Sequence, residues 1–182
     1  MGWREKIAAQ GAEDATGVRM QYAALCWRAT SGCPKTGLEA ADQMGPELAP
    51  EAGLQVLLIT SRDTGRWIIP KGWPMPGLAP EAAAAQEAWE EAGVAGAMDP
   101  VCLGRYGYQK IMGAEAQVPC AVAVYSLQVL HLADAFPEVL ERRRQWFAQD
   151  EAAALVLEPD LGRLIATFVP PEGGRQAPIV GE

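Results

Sequence analysis

Histidine and paired cysteines are scarce in this chain, and their scarcity excludes several kinds of site. The 182 residues include one histidine, His131, and four cysteines, none of them in a Cys-x-x-Cys pair. The ligand spacing of a zinc site is therefore absent. A Ser–His–Asp or Cys–His mechanism would depend on His131 alone, which follows a strand-like run in a predicted loop. We expect neither a zinc site nor a histidine-activated nucleophile.

Long apolar runs and an excess of positive charge are also missing. No apolar run reaches the roughly 20 residues of a membrane span, and the first residues lack the apolar stretch of a signal peptide. We therefore expect a cytoplasmic protein with no membrane partner. The 23 acidic and 15 basic residues leave a formal charge of −8, which argues against a nucleic-acid surface. Metal ions and local cations can reverse the sign within a site, so a polyphosphate substrate is not excluded.

Three glutamates are the most informative residues present. Glu90 and Glu91 stand three and four residues after Glu87, so the three share one edge of a predicted helix. Pro80 suits the first turn of that helix, and Gly93 suits the position just past its end. A helical wheel predicts that four apolar residues face the core opposite the glutamates: Ala82, Ala85, Trp89 and Ala92.

This acidic edge is a candidate metal site. Like charges at such spacings destabilise a helix by a few tenths of a kcal/mol per pair, and a bound cation would remove that cost. Magnesium takes oxygen ligands and commonly combines a few carboxylates with substrate phosphate. The alternative is a solvated, glutamate-rich helix with no ligand, and the residues before the helix argue against it. A strand-like run ends in Pro-Lys-Gly and is followed by a long loop.

The stretch from residue 67 to 94 resembles the Nudix box. Its positions that fit the family pattern are Gly72, Glu87, Ala88, Glu90, Glu91, Gly93 and Val94. Two positions depart, because Leu78 replaces the first glutamate of the box and Gln86 replaces its arginine. The run Trp-Ile-Ile-Pro-Lys-Gly-Trp-Pro-Met is most similar to bacterial relatives of the diphosphoinositol-polyphosphate phosphohydrolase branch.

The resemblance implies a fold and a set of roles. Periodicity alone indicates an α+β protein with antiparallel or mixed strands, and the resemblance implies the Nudix α/β/α sandwich, with a mixed sheet between helices. It implies that Glu87, Glu90 and Glu91 bind Mg²⁺ or Mn²⁺ and that Glu87 and Glu91 are catalytic. Gln86 can donate a hydrogen bond to Glu90 but lacks the charge and the bidentate geometry of arginine.

Cations near the box are candidates for substrate binding. We expect Arg62, Lys71 and Gly72 to contact substrate phosphate, since they surround a predicted hairpin and the start of the box. Arg66 and Trp73 are weaker candidates. Glu138 and Glu141 are candidates for a carboxylate outside the box. The run of three arginines at 142–144 could face phosphate, but a solvated edge is the favoured interpretation.

One domain is predicted, at residues 18–169, with a long inserted loop at 29–53. A loose arm at 1–17 precedes it and a disordered tail at 170–182 follows it. Six strands are predicted, at 19–28, 54–61, 66–69, 101–110, 118–130 and 144–147. Helical spacing over 150–168 predicts a helix that Pro159 breaks in two.

The predicted function is metal-dependent hydrolysis of a phosphoanhydride. The substrate would be a nucleoside-diphosphate-linked compound, a dinucleoside polyphosphate or a diphosphoinositol-type compound, and the protein would be a monomer or homodimer. Two alternatives stay open. One is a Nudix-fold nucleotide-binding or regulatory module weakened by Leu78 and Gln86. The other is an unrelated acidic domain, which would show no stabilisation by metal.

Overall fold

The computed structural model describes residues 17–30, 53–112 and 116–171. The strands and helices of these ranges are β1 Arg19–Thr30, β2 Gly53–Thr60, β3 Trp67–Ile68, β4 Lys71–Gly72, α1 Pro80–Ala92, β5 Val94–Met112, β6 Ala116–Leu132, β7 Arg144–Ala148, α2 Gln149–Leu155 and α3 Pro159–Ala166. No helix in these ranges is long and apolar enough to cross a membrane.

The strands form one mixed sheet. Its main order is β3-β2-β1-β6-β5, while β4 also pairs with β1 and β7 pairs with β2. β1 and β6 run parallel, and the other pairs are antiparallel. The longest antiparallel pair is β5 with β6, and it carries irregularities in register.

Helices cover both faces of the sheet. On one face, Ala84, Ala88 and Ala92 of α1 join a buried cluster with Leu57 and Leu127. On the other face, Ala152 of α2 and Leu161 and Ile165 of α3 belong to a second buried cluster. The predicted α+β class and α/β/α sandwich with a mixed sheet are therefore confirmed.

Helix α1 has the predicted ends but a rotated buried face. It begins at Pro80, and Gly93 closes it with φ 64° and an N–H that donates to the Trp89 carbonyl. The predicted core positions Ala85 and Ala92 are buried, whereas Ala82 and Trp89 are only half-buried.

The glutamates are also less exposed than the helical wheel indicates. Ala84 and Ala88 complete the buried face, and Glu87 and Glu91 are buried beside them. The wheel is wrong here because the segment around β4 covers this side of the helix, and a helical wheel contains no information about that segment.

Most strand predictions are confirmed, with differences at their ends. The predicted loop at 29–53 is wrong at both ends, because β1 continues to Thr30 and β2 begins at Gly53. Each end is stabilised by pairing between these strands. Residues 31–52 lie outside the described residues, as do most of the predicted arm and tail.

Strand pairing also adds structure that the sequence did not predict. β5 begins directly after Gly93, seven residues before the predicted start at 101. β4 was not predicted, because two residues form a strand only through their pairing with β1. Pro159 separates α2 from α3, as predicted.

Candidate active site

A cavity of about 1120 Å³ opens beside α1. Its acidic wall consists of Glu87, Glu90 and Glu91 from α1, together with Glu138 and Glu141 from the segment before β7. Its other walls are formed by the turn between β2 and β3, by β4 and Trp73, and by residues of β1 and β5. The six residues predicted to bind metal or substrate all line this cavity: Arg62, Lys71, Gly72, Glu87, Glu90 and Glu91.

Glu91 is held from two sides. The Arg142 guanidinium donates to Glu91 Oε1, and the Lys71 backbone N–H donates to Oε2 at 3.0 Å. Burial raises the pKa of the Glu91 carboxyl, while Arg142 and Lys71 act in the opposite direction. Because a buried charge needs a partner, the Arg142–Glu91 ion pair stabilises the carboxylate inside the protein.

Glu87 lies against a glycine that leaves room for it. A Cβ on Gly72 would lie 2.0 Å from Glu87 Cδ and 2.1 Å from Glu87 Oε1. Real Cβ atoms essentially never approach another heavy atom this closely. Gly72 is therefore the residue that lets the buried Glu87 carboxylate reach the wall of the cavity. We expected Gly72 to contact substrate, and this packing gives it a second reason to be glycine.

Glu90 is oriented from its own helix. Gln86 Nε2 donates to Glu90 Oε1 at 2.9 Å, so the hydrogen bond expected from their spacing is confirmed. The Glu90 carbonyl accepts the Glu138 N–H at 3.0 Å, which ties the segment before β7 to the helix.

The contacts of Arg142 differ from those predicted. Its side chain is only 5% exposed, and it donates to Glu138 at 2.6 Å and to the Thr60 carbonyl at 3.0 Å as well as to Glu91. The predicted solvated edge is wrong for this residue because three acceptors surround its guanidinium. The i,i+4 spacing of Glu138 and Arg142 was the available signal, but no local pattern indicates the contact with Glu91.

The other predicted cations have acidic partners. Arg62 is half-exposed and pairs with Glu138 at 3.5 Å and Glu141 at 3.2 Å. Arg66 pairs with Glu158 at 2.6 Å. The two candidate carboxylates outside the box, Glu138 and Glu141, therefore line the cavity, and in this arrangement they face arginines.

Lys71 and Lys110 line the cavity beside aromatic rings. Lys71 Nζ lies 5.4 Å from the centre of the Tyr108 ring, and Lys110 Nζ lies 4.6 Å from the centre of the Trp73 ring. Burial lowers the pKa of Lys71 to about 8, and Glu91 acts in the opposite direction. Tyr108 donates to Gln21 Oε1 at 2.6 Å. Lys110, Tyr108 and Gln21 were not predicted as site residues, since each stands in an ordinary strand pattern.

The carboxylate oxygens of the cavity are the type of ligand that a hard divalent cation prefers. Three carboxylates line one cavity, and oxygen is the ligand that Mg²⁺ and Mn²⁺ prefer. Among the described residues, however, no three acidic, cysteine or histidine side chains converge closely enough to hold an ion. Glu91 in particular is engaged by Arg142. The residues are of the right chemical type to hold the metal. Glu91 would have to exchange its ion pair with Arg142 for the metal ion.

Comparison with known proteins agrees with this geometry. A family model described as the NUDIX domain matches residues 48–168, which is more than half of the chain. The chain belongs to the Nudix family. Divalent cations, usually Mg²⁺, are a general requirement of Nudix hydrolases. The resemblance drawn from the box is thereby confirmed at the level of the family.

The chain is similar to one curated relative, Nudix hydrolase 16, mitochondrial, from Arabidopsis thaliana. The two are 34% identical over 110 residues, which is 58% of this chain and 60% of the relative. The chain therefore matches about three fifths of that relative's length.

Two solved structures show the same fold. A C. elegans Ap4A hydrolase has a TM-score of 0.51 at 15% identity, covering 81% of this chain and 93% of that one. The NUDIX domain of Shewanella oneidensis NrtR, complexed with ADP ribose, has a TM-score of 0.53 at 15% identity, covering 91% and 95%. At these identities the similarity concerns the fold alone.

Proposed function

We propose that this Nudix protein hydrolyses a phosphoanhydride bond of a small polyphosphate compound in a reaction that requires Mg²⁺ or Mn²⁺. The observation that carries the proposal is the cavity that joins the three box glutamates to Lys71. Carboxylates can hold a divalent cation, and ammonium groups can bind phosphate oxygens. The candidate substrates are nucleoside-diphosphate-linked compounds, dinucleoside polyphosphates and diphosphoinositol-type compounds.

Each residue has a proposed role. Glu87, Glu90 and Glu91 would hold the cation, which when bound offsets charge on the phosphate oxygens and lowers the pKa of water. The buried Glu87 and Glu91 would orient the attacking water, one of the two carboxylates would accept its proton, and Lys71 would bind a phosphate group of the substrate. Water attacks phosphorus in line with the leaving phosphate. Arg62 contacts phosphate after exchanging its partners Glu138 and Glu141.

A panel of substrates tests this proposal. Purified protein with Mg²⁺ would be incubated with ADP-ribose, diadenosine tetraphosphate and a diphosphoinositol phosphate, and products would be separated by ion-exchange chromatography. We expect turnover of at least one compound and a loss of 100-fold or more in Glu87→Gln. Glu81→Gln is the matched control, because Glu81 lies on the same helix outside the cavity. Equal turnover by the two variants, both folded by circular dichroism, would refute the proposal.

The binding-module alternative has one observation in its favour. Arg142 pairs with Glu91, one of the three carboxylates proposed to hold the cation, and a protein that only binds nucleotide could keep this pair. Tight nucleotide binding by calorimetry, with no product in Mg²⁺ or Mn²⁺, would identify such a module. The cytoplasm and a monomeric or homodimeric state remain parts of our proposal. The A. thaliana relative is named as mitochondrial, so fractionation of cells is the test of location.

A further inference from the structure

Two lysines in the cavity lack an acidic partner among the described residues. Within those ranges, neither Lys71 Nζ nor Lys110 Nζ makes a hydrogen bond or an ion pair, whereas Arg62, Arg66 and Arg142 each pair with at least one glutamate. Burial lowers the pKa of Lys71, and the positive charge of Lys110 lowers it further. The two ammonium groups therefore lie near each other in the cavity. Glu91 lies near enough to act on the charge of both lysines, but within the described ranges neither ammonium group donates to a carboxylate, so both can donate to an anion.

The rings beside these lysines position them. Lys110 Nζ lies 4.6 Å from the Trp73 ring centre, and Arg19 Cζ lies 6.0 Å from the same centre. Lys71 Nζ lies 5.4 Å from the Tyr108 ring centre. Aromatic rings attract cations at these distances by about 0.5–2 kcal/mol. Trp73 therefore supports cations here, which argues against its use as a platform for stacking a nucleobase.

The floor of this region is fixed and polar. Gln21 is buried and accepts the Tyr108 hydroxyl at 2.6 Å. Burial raises the pKa of Tyr108 and thereby keeps its hydroxyl protonated. Burial also lowers the pKa of Lys110, which reflects the cost of removing this cation from water. An anion placed between the lysines would remove that cost.

We propose that Lys71, Lys110 and Trp73 form a second anion subsite, which takes a phosphate group of the substrate beyond the anhydride that is cleaved. Its ligand is a polyphosphate chain longer than a diphosphate. The subsite thus selects dinucleoside polyphosphates over compounds such as ADP-ribose, whose two phosphates are both used at the glutamates. As a statement about substrate choice it rests on the proposed hydrolase function, but its affinity for phosphate does not.

The first experiment measures the subsite without catalysis. Inorganic tripolyphosphate would be titrated into the full chain by calorimetry in metal-free buffer with chelator. We expect saturable binding that Lys110→Gln weakens about tenfold, that Trp73→Leu weakens less, and that Lys110→Arg retains. Arg105→Gln is the matched control, since Arg105 is an exposed cation on the same strand outside the cavity. Absence of binding, or equal weakening in Lys110→Gln and Arg105→Gln, would overturn the subsite.

The second experiment compares two substrates in Mg²⁺. For diadenosine tetraphosphate, Lys110→Gln should lower kcat/KM about tenfold, mainly through KM, whereas for ADP-ribose the change should be less than twofold. A shared loss on both substrates, or none on either, would contradict selection by this subsite while leaving hydrolysis intact. Absence of hydrolysis by the wild type, with tripolyphosphate binding as expected, would instead reject the proposed function and keep the anion site.

A diphosphoinositol phosphate provides the third arm. Its phosphates surround a ring, so they could reach the same lysines from a different scaffold. Loss of its turnover in Lys110→Gln, with no change for diadenosine tetraphosphate, would overturn the assignment to a linear polyphosphate chain. Loss confined to diadenosine tetraphosphate would support that assignment.

Discussion

Gly72 has no Cβ, and this leaves room for the Glu87 carboxylate. The Glu87 carboxyl occupies the space where the side chain of any other residue at 72 would begin. The spacing of the box places a glycine 15 residues before a glutamate, and the fold brings the two into contact across β4 and α1. The need for glycine here comes from close approach, since Gly72 is not among the described glycines with positive φ.

Gly72→Ala should displace Glu87 and leave the fold intact. The atom that the new Cβ meets is the end of a flexible side chain, so the cost should be about 1–3 kcal/mol, as for other overpacked sites. Turnover should fall 100-fold or more, because Glu87 would leave the cavity wall. Gly107→Ala is the control, since its Cβ would meet only the Cys120 carbonyl at 3.7 Å. Full activity in a folded Gly72→Ala protein would show that Glu87 needs no fixed position.

Gln86 permits a test of the departure from the family box. Gln86→Arg should add charge to the existing contact with Glu90 and improve its orientation. We expect a two- to tenfold rise in turnover at limiting Mg²⁺, equivalent to about 0.4–1.4 kcal/mol. Gln86→Met, which removes the hydrogen bond, should lower turnover instead. A loss of activity in folded Gln86→Arg would indicate that the arginine draws Glu90 away from the cation.

At the scale of elements, Arg142 joins the segment before β7 to helix α1 and to β2. It contacts Glu91, Glu138 and the Thr60 carbonyl. Arg144 adds a bond from β7 to the Ala92 carbonyl at the end of the helix, at 2.6 Å. A cation at a helix C-terminus is stabilising. The position of the acidic edge is therefore set from outside the box.

Breaking this tether should destabilise the protein. Arg142→Gln leaves the buried Glu91 without its cation and should lower the free energy of unfolding by about 3 kcal/mol in urea. Adding Glu91→Gln should recover part of that loss, with a coupling energy of about 1–3 kcal/mol. Arg163→Gln, which breaks an exposed pair with Asp160, should cost about 0.5 kcal/mol or less. Additive losses in the double variant would show that the two side chains do not interact in solution.

Elements with a local signature were predictable from the sequence. β1, β2 and the break at Pro159 follow from apolar runs and from proline geometry. β4 and the early start of β5 were not predictable, because each depends on pairing with a strand that is distant in sequence. The three glutamates were found by their spacing. The contact between Arg142 and Glu91 was not predicted, because the two residues are 51 positions apart in the sequence.

At the scale of the whole molecule, the proposed substrate is an anion, whereas the protein has a formal charge of −8. The cavity brings both signs together, because its lining includes the glutamates as well as Arg62, Lys71, Lys110 and Arg142. The overall sequence predicted the family and the sandwich, but composition could not predict this combination. It arises where α1, β4 and β5 meet.

A direct measurement of metal binding tests the central claim, that the acidic edge of α1 holds the cation. Mn²⁺ would be titrated calorimetrically into wild type, Glu91→Gln and Glu81→Gln, each confirmed as folded. We predict saturable binding that Glu91→Gln weakens at least tenfold, about 1.4 kcal/mol or more, while Glu81→Gln matches wild type. Equal Mn²⁺ affinity in wild type and Glu91→Gln would contradict the account and remove this helix from the metal site.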